Sequence, residues 1–237
     1  SGGLALELFL QKNSINKIQV CFSSLDIFGL APTFRKISEA KSIEVIDWSA
    51  LGLIKALRAS QQNIDSEIFQ YPWGSDLPNK TKFCKKFKDP KTKNEFAIVN
   101  SITIDNFLLH ASRADEDGNV EILGPRALDT IMAGASKQVI VTVDEIVSRD
   151  ILAKEKKGSL ISKNFITAIA HVPFGAYPTS SVPYYITDYD DLKNTFSKKL
   201  LRLGFSFKKN KKFITKSNKL TLNYFTNYLK KNKLNSN

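Results

Sequence analysis

The chain has 237 residues, 42% of them apolar and 24% charged, which is enough for one large domain or two small ones with a sizeable core. No apolar run is long enough to cross a bilayer, and two cysteines, Cys21 and Cys84, are too few for a disulfide framework. The net charge of +12 is concentrated at one end: residues 192–237 carry 13 Lys and Arg and no acid, leaving the body with 22 basic against 23 acidic residues. A neutral body of this kind argues against a nucleic-acid-binding domain. The basic tail interleaves its lysines with Phe205, Phe207, Phe213, Leu220, Leu222, Phe225 and Leu229, so it reads as an ordered, lysine-rich surface packed on the same domain. Two histidines and two cysteines, all far apart, give no metal-ligand spacing. The expected setting is a reducing cytoplasm with both thiols free.

Taken in chain order, Leu4–Leu10 reads as a short helix after Gly2-Gly3, and Ile18–Phe22 as a buried strand. Pro32 suits the first position of a helix running to Ala40, since its missing N–H costs nothing there. Ile43–Trp48 reads as a strand, and Ser49 as the cap of a helix to Ser60. Strand, helix, strand, helix in this order predicts a parallel sheet with helices packed on it. Pro72, Gly74, Pro78 and the basic stretch Lys80–Lys93 mark a long loop. Strands are then expected at Glu95–Ser101, Phe107–Ala114 and Val120–Leu123, followed by a helix at Leu128–Ser136 and a strand at Lys137–Val143. A helix at Glu145–Lys154 and a strand at Phe165–Val172 complete the body.

Between Phe107 and Leu123 lies the most distinctive segment, His110-Ala-Ser-Arg113-Ala-Asp115-Glu-Asp117-Gly118-Asn119, running on to Gly124. A glycine that can take positive φ lets the chain reverse, and the flanking Asp and Asn can bond the freed backbone groups. Turn chemistry alone accounts for such a hairpin. His110 and Asp115 could instead form an acid–base pair, although no nucleophile accompanies them, and a lone histidine at a strand end is more often structural. Dinucleotide and phosphate loops of the Gly-rich kind and a serine-hydrolase elbow are absent. Glycine-bearing loops do lie at predicted strand ends, at Gly2-Gly3, Phe28-Gly29-Leu30, Trp73-Gly74-Ser75-Asp76 and Asp115–Gly124. Ligands in open parallel sheets bind where such loops gather.

These segments together resemble the A (alpha) subunit of family I CoA-transferases, of the glutaconate CoA-transferase type. The resemblance is carried by Gly2-Gly3-Leu4, Phe28-Gly29-Leu30-Ala31-Pro32, Ile43-Glu44-Val45, Leu57-Arg58-Ala59 and Gly74-Ser75-Asp76-Leu77. The run from His110 to Gly124, then Pro173-Phe174-Gly175-Ala176, Pro178-Thr179-Ser180, Tyr185 and Asp188, completes it over roughly residues 1–190. It implies an α/β fold with an open, mostly parallel sheet flanked by helices, with the first strand and turn of the family missing. It implies a domain over residues 1–191 and a basic extension over 192–237. It implies that CoA moves from an acyl-CoA to a small carboxylate or dicarboxylate, with the nucleophilic glutamate on a B subunit, in an A2B2 assembly. Coenzyme A is then a substrate and no cofactor is held permanently. No catalytic residue is expected on this chain, since the resemblance places none of its nine glutamates in the family's Glu-x-Gly type of nucleophile loop; Glu116-Asp117-Gly118 has that order but belongs to the hairpin turn. The resemblance assigns the pocket to Gly2, Gly3, Phe28, Gly29, Gly74, Ser75, Asp76 and Ser101. His110, Arg113, Asp115, Gly118, Asn119 and Gly124 are expected to shape a loop beside it.

Two further readings stay open. One is a CoA-thioester hydrolase, including a ring-cleaving type, on the same scaffold, for which Asp47 is the nearest acidic candidate. The other is a binding module that uses the basic tail. The segment Asn63-Ile64-Asp65 departs from a Gly-Leu-Pro type segment in relatives, which bears on substrate choice.

Overall fold

A computed structural model describes residues 3–12, 14–25, 29–71, 73–74, 76–77, 83–155 and 157–192. The chain divides into two compact units, Ser1–Thr103 and Ile104–Asn237. The basic tail beyond Leu192 lies outside the described residues.

In the first unit, helix α1 (Leu4–Gln11) is followed by strand β1 (Lys17–Val20), helix α2 (Pro32–Glu39) and strand β2 (Glu44–Asp47). The two strands pair in parallel, Lys17 with Glu44 through Val20 with Asp47, so the connection through α2 is a β-α-β crossover. Leu10, Ile18 and Val20 are buried between them, with Phe34, Ile37 and Ile43 packed alongside. Helix α2 begins at Pro32, as the sequence predicts, but Ala31 before it has no side chain to cap the exposed N–H groups. A distant carboxylate supplies the cap. Glu7 of α1 is fully buried and accepts the N–H groups of Thr33 at 2.9 Å and Phe34 at 2.8 Å. Negative charge there also complements the helix dipole. Glu7→Ala should therefore lower stability by about 2–3 kcal/mol, more than an ordinary cap loss, because two part-buried helix N–H groups lose their acceptor at once. Urea denaturation checks this, and a loss under about 0.5 kcal/mol would contradict the capping role.

Helix α3 (Ala50–Gln61) is capped by Ser49, whose hydroxyl accepts the Gly52 N–H at 3.0 Å. Strands β3 (Ser66–Phe69), β4 (Lys85–Lys88) and β5 (Glu95–Asn100) form an antiparallel sheet in the order β3-β5-β4. Strand β4 falls inside the basic stretch expected to be loop. Its side chains are all exposed, so it has no apolar alternation to read, and pairing with β5 alone defines it. Trp48, Phe69, Tyr71 and Phe83 form the core beside Ala56, Ala97 and Val99. Cys21 and Cys84 are half-buried free thiols against this core, and burial pushes both thiols up in pKa.

The second unit is built on strands β6 (Ile104–Asp115), β7 (Val120–Ile122), β8 (Ser136–Val147), β9 (Ser159–Ile161) and β10 (Ala168–His171). They form one mixed sheet in the order β10-β8-β6-β7-β9, parallel through β10-β8-β6 and antiparallel beyond. Helices α4 (Asp129–Gly134) and α5 (Arg149–Glu155) connect them. Phe107, Val139, Val141 and Val143 are buried on one face, with Val120 and Ile161. Strand β8 runs on through Val147, so Glu145–Val147, expected to open a helix, are extended, and the helix starts at Arg149. Ten register pairs with β6 hold β8 extended over this length. The stretch expected as one strand from Phe165 has a short 3₁₀ turn at Lys163–Phe165 before β10. Residues 172–192 then form a strap that returns along β6 and β8, reaching His110, Asp144 and Glu145, with Phe174, Tyr184 and Tyr185 as its own small core. No helix among the described residues is long and apolar enough to cross a membrane.

Candidate functional site

The hairpin joining β6 to β7 consumes its own polar groups. Gly118 sits at φ 96°, the left-handed region that a side chain disfavours. Asp115 accepts the backbone N–H of Asn119 and its side-chain amide, both at 2.8 Å, and the Gly118 N–H reaches the Asp115 carbonyl at 3.1 Å. Asn119 in turn accepts the N–H of Lys163 at 3.1 Å, and Asp117 pairs with Arg149 at 3.0 Å. Asp115 is thus a turn carboxylate with both oxygens engaged, and the structure does not join it to His110.

Behind the turn, Arg113 is the centre of a buried ion network. Its Nε donates to Glu121 at 2.6 Å and its terminal nitrogen to Glu155 at 2.8 Å. Glu121 uses its other oxygen to accept the Gly158 N–H at 2.8 Å. Burial pulls down the pKa of Arg113, but the hydrogen bonds and charges of Glu121 and Glu155 outweigh it and hold the guanidinium charged. Arg113 also holds the Glu155 carboxyl below its usual range, together with Lys157. A cleft of about 390 Å³ opens beside this network, lined by Leu152, Ala153, Leu160 and Arg149 with the turn residues Asp115 and Asn119.

His110 belongs to a second network in the interior of the sheet, midway along β6 and beside Thr142 and Asp144 of β8, so it does not stand at a strand end as the sequence reading had it. Its Nε2 lies 3.0 Å from Asp144 of β8 and 3.3 Å from the Tyr185 hydroxyl, and its Nδ1 lies 2.9 Å from the Thr142 hydroxyl. This pattern fits the tautomer with its proton on Nε2, donating to Asp144, and Nδ1 accepting from Thr142. Asp144 is fully buried and also accepts the Phe174 N–H at 2.7 Å. The strap is therefore tied to the sheet by this carboxylate and by Glu145, which accepts from the Tyr184 hydroxyl at 2.9 Å. Gly175 allows the close approach: a Cβ there would stand 2.6 Å from His110 Nδ1. Tyr185 stacks on Phe174 at 5.1 Å and accepts the Ala176 N–H at 3.0 Å. Burial and the charge of Asp144 push the Tyr185 phenol well above its usual pKa, and burial with Asp188 does the same to Tyr177. Both stay hydroxyls, and Tyr177 donates to Asp188 at 2.8 Å. Asp144 and Thr142 escaped sequence reasoning. The available signal was an acid closing the apolar run Val-Ile-Val-Thr-Val-Asp, where a solvated charge would be out of place.

The pocket residues named from sequence lie in the first unit. Gly3 precedes α1, and Gly29 takes φ 79° and accepts the Leu25 N–H through its carbonyl at 2.8 Å. Asp76 is exposed. Ser101 donates its N–H to the Asp65 carbonyl at 2.8 Å. The space where a Cβ would stand is open at Gly3, Gly29 and Gly74, and in the second unit at Gly124. Gly2, Phe28 and Ser75 lie outside the described residues. Of the hairpin set, Arg113, Asp115, Gly118 and Asn119 share the turn and its base, while His110 joins the strap. Asp47 ends β2 and is exposed. Among the described residues no three potential metal ligands gather.

The sequence model of the coenzyme A transferase family matches residues 1–171. The chain is 31% identical to the A subunit of the 3-oxoadipate CoA-transferase of Pseudomonas knackmussii, over 62% of this chain and 51% of that protein. Its fold is like that of the glutaconate coenzyme A-transferase of Acidaminococcus fermentans, with a TM-score of 0.76, 22% identity and coverage of 98% of this chain and 78% of that one. It is also like a variant of the decarboxylase AibA/AibB, with a TM-score of 0.73, 25% identity and coverage of 83% and 73%. The chain spans 27% to 51% of the length of the curated relatives it matches. A match over residues 1–171, on an α/β fold shared with a solved CoA-transferase, places this chain in the coenzyme A transferase family.

Proposed function

We propose that this chain is the A-type subunit of a two-chain CoA-transferase, moving CoA from an acyl-CoA to a small carboxylate or dicarboxylate. The observation that carries the reading is the family match over residues 1–171 together with the likeness to the A subunit of a 3-oxoadipate CoA-transferase. The nucleophilic glutamate belongs to a B subunit in this reading. The glutamates of this chain support that division. Glu7 caps α2, Glu121 holds Arg113, Glu145 accepts from Tyr184, and Glu39, Glu44, Glu67, Glu95 and Glu155 are paired with basic side chains. Glu116 lies exposed in the hairpin turn.

In this reading the partner's glutamate attacks the thioester carbonyl and CoA leaves as a thiolate, giving a mixed anhydride. The thiolate then attacks the anhydride at the glutamyl carbonyl, which expels the donor acid as its carboxylate and leaves a glutamyl thioester. The acceptor carboxylate attacks that thioester, CoA leaves again as a thiolate, and its attack on the acceptor carbonyl of the new anhydride forms the new acyl-CoA and frees the glutamate. Splitting the exchange in this way replaces attack of the free acceptor acid on the acyl-CoA by steps through a positioned enzyme carboxylate. The glycine loops at Gly2-Gly3, Phe28-Gly29 and Gly74-Ser75-Asp76, with Ser101, form the acyl-CoA pocket. Their backbone N–H groups stabilise the oxyanion. The open space beside Gly3, Gly29 and Gly74 supports this assignment. His110, Arg113, Asp115, Gly118, Asn119 and Gly124 shape and anchor the second unit, residues 1–191 act as one working domain, and the assembly is A2B2. Coenzyme A enters as substrate, with no permanent cofactor. The compartment is the cytoplasm, where free thiols such as Cys21 and Cys84 persist.

Co-purification with a B-type chain, followed by an assay of CoA exchange between acyl-CoAs and a panel of oxo- and dicarboxylic acids, tests the proposal. Exchange that depends on both chains is expected. A stable complex that exchanges CoA with no acid in the panel would overturn it. The likeness to AibA/AibB favours one second reading, decarboxylation of an acid held on the same scaffold. Release of CO2 by the complex without an acceptor acid would select it.

A further inference from the structure

The basic stretch Lys80–Lys93 has no part in the function described so far. It holds seven lysines against Asp89 alone, while the remainder of residues 1–191 is net acidic. Its described part includes strand β4 and the turn that leads to β5. Lys85, Lys86 and Lys88 are exposed on β4, and Lys91 and Lys93 are exposed in the turn. The two acids beside them are already engaged. Asp89 accepts the Lys91 N–H and the Thr92 hydroxyl, both at 2.8 Å, and so shapes the turn. Glu95 pairs with Lys86 at 2.6 Å. Among the described residues no acid pairs with Lys85, Lys88, Lys91 or Lys93.

Lys86 ties this patch to the loop proposed for the acyl-CoA pocket. Its ammonium lies 5.1 Å from the centre of the Trp73 ring, a cation–π contact, and the Trp73 indole N–H reaches the Glu95 carbonyl at 3.5 Å. Tyr71 packs edge-on against the same indole at 5.3 Å. Trp73 is thus held against the hairpin, and the next residue, Gly74, opens the pocket loop. Lys86 and Lys88 share one face of the sheet, with register partners Ala97 and Glu95. The lysines therefore start beside the pocket loop and continue along the hairpin through Lys88 to Lys91 and Lys93.

A ligand for such a row carries several negative charges at a distance from the group that enters the pocket. Coenzyme A does so: its diphosphate and 3′-phosphate are separated from the thioester by the pantetheine arm. Lysine binds phosphate as a point charge, so exposed lysines on a fixed hairpin suit it. Strand β4 is also the edge of its sheet, and lysines protect an edge from pairing with another chain. That role accounts for charge on β4 but not for Lys91 and Lys93 in the turn. We propose that Lys88, Lys91 and Lys93 form the site for the phosphate groups of CoA, with Lys86 and Trp73 joining it to the acyl pocket. The proposal deepens the CoA-transfer reading and takes the identity of its ligand from it.

Calorimetric titration of the full chain, together with any B-type chain that co-purifies with it, tests the site, with CoA and dephospho-CoA as probes. CoA should bind at least about threefold more tightly than dephospho-CoA, the effect of one exposed charge contact. Lys88→Gln, Lys91→Gln and Lys93→Asn together should weaken CoA binding at least about fivefold and abolish its advantage over dephospho-CoA. Asparagine suits position 93, where φ is 62°. Arginine at the same three positions keeps the charges and should keep CoA affinity within about twofold, which separates charge from folding. Equal affinity of the neutral and unaltered chains for CoA would overturn the proposal. So would a fivefold loss shared by the arginine variant, or no binding of CoA by the unaltered chain. A single-stranded oligonucleotide held more tightly than CoA by the same lysines would assign the patch to nucleic acid and equally refute it. CoA exchange in a complex whose neutral variant binds CoA normally would remove the phosphate site alone. Charge-dependent CoA binding by a complex that exchanges CoA with no acid would keep the site and remove the transferase.

Discussion

Replacing Arg113 by methionine is expected to lower the stability of this protein by about 3–5 kcal/mol, the range for removing one partner of a buried ion pair. Arg113 and Glu121 are both almost fully buried, and they meet at 2.6 Å. Methionine keeps the volume but leaves the Glu121 carboxylate charged and buried, with only the Gly158 N–H on its second oxygen. Denaturant unfolding reads the loss, and a change below about 1 kcal/mol would show that the network contributes little. A double replacement, Arg113→Met with Glu121→Leu, should recover much of the deficit, since two apolar groups leave no orphaned charge. Acid sensitivity should change as well. The Glu155 carboxyl is held below its ordinary value of 4.5, so its contribution is present above that pH and is lost as pH falls through the lower folded value. Without Arg113 that contribution shrinks and the acid limb of the stability profile flattens.

Asp144→Ala should have a comparable effect, about 3–5 kcal/mol, because it strands two donors at once. The carboxylate holds both the Phe174 N–H and His110 Nε2, and it is wholly inaccessible to water. The strap should loosen first. Hydrogen exchange at the amides of residues 174–188 should accelerate before global unfolding, whereas a uniform change across the unit would speak against a local anchor. His110→Ala follows the same logic with a smaller loss. It is expected to weaken folding, or assembly with the proposed B subunit, more than the proposed CoA exchange. Normal assembly with abolished exchange would instead place His110 in the chemistry.

The division between what sequence carries and what folding decides is visible in particular residues. Ser49, Pro32 and Gly118 could be placed from sequence because each acts on its immediate neighbours: a cap reaches three residues on, a proline sets its own φ, and a glycine reverses its own turn. Strands β1, β2, β5 and β6 were legible because apolar β-type residues cluster in them. The ordered set of short motifs along the chain was enough to point to the CoA-transferase family. Strand β4 was not legible, since every side chain on it is exposed and only its partner strand makes it extended. Nor was the continuation of β8 through Val147, which ten register pairs with β6 hold against a sequence that also suits a helix.

Long-range electrostatic pairing was beyond sequence altogether. Sequence left a pairing of His110 with Asp115, five residues away, open beside a structural role, and the fold gives His110 to Asp144 and lets Asp115 bind Asn119. In the same way Glu7 reads as one polar residue in an amphipathic helix, and only tertiary packing makes it the cap of a helix more than twenty residues further on. The physical reason is common to these cases. Backbone preference and turn chemistry are local and therefore written in adjacent residues. The partner of a buried charge is chosen by whichever donors the packed core brings within about 3 Å, and that distance exists only after the chain has folded.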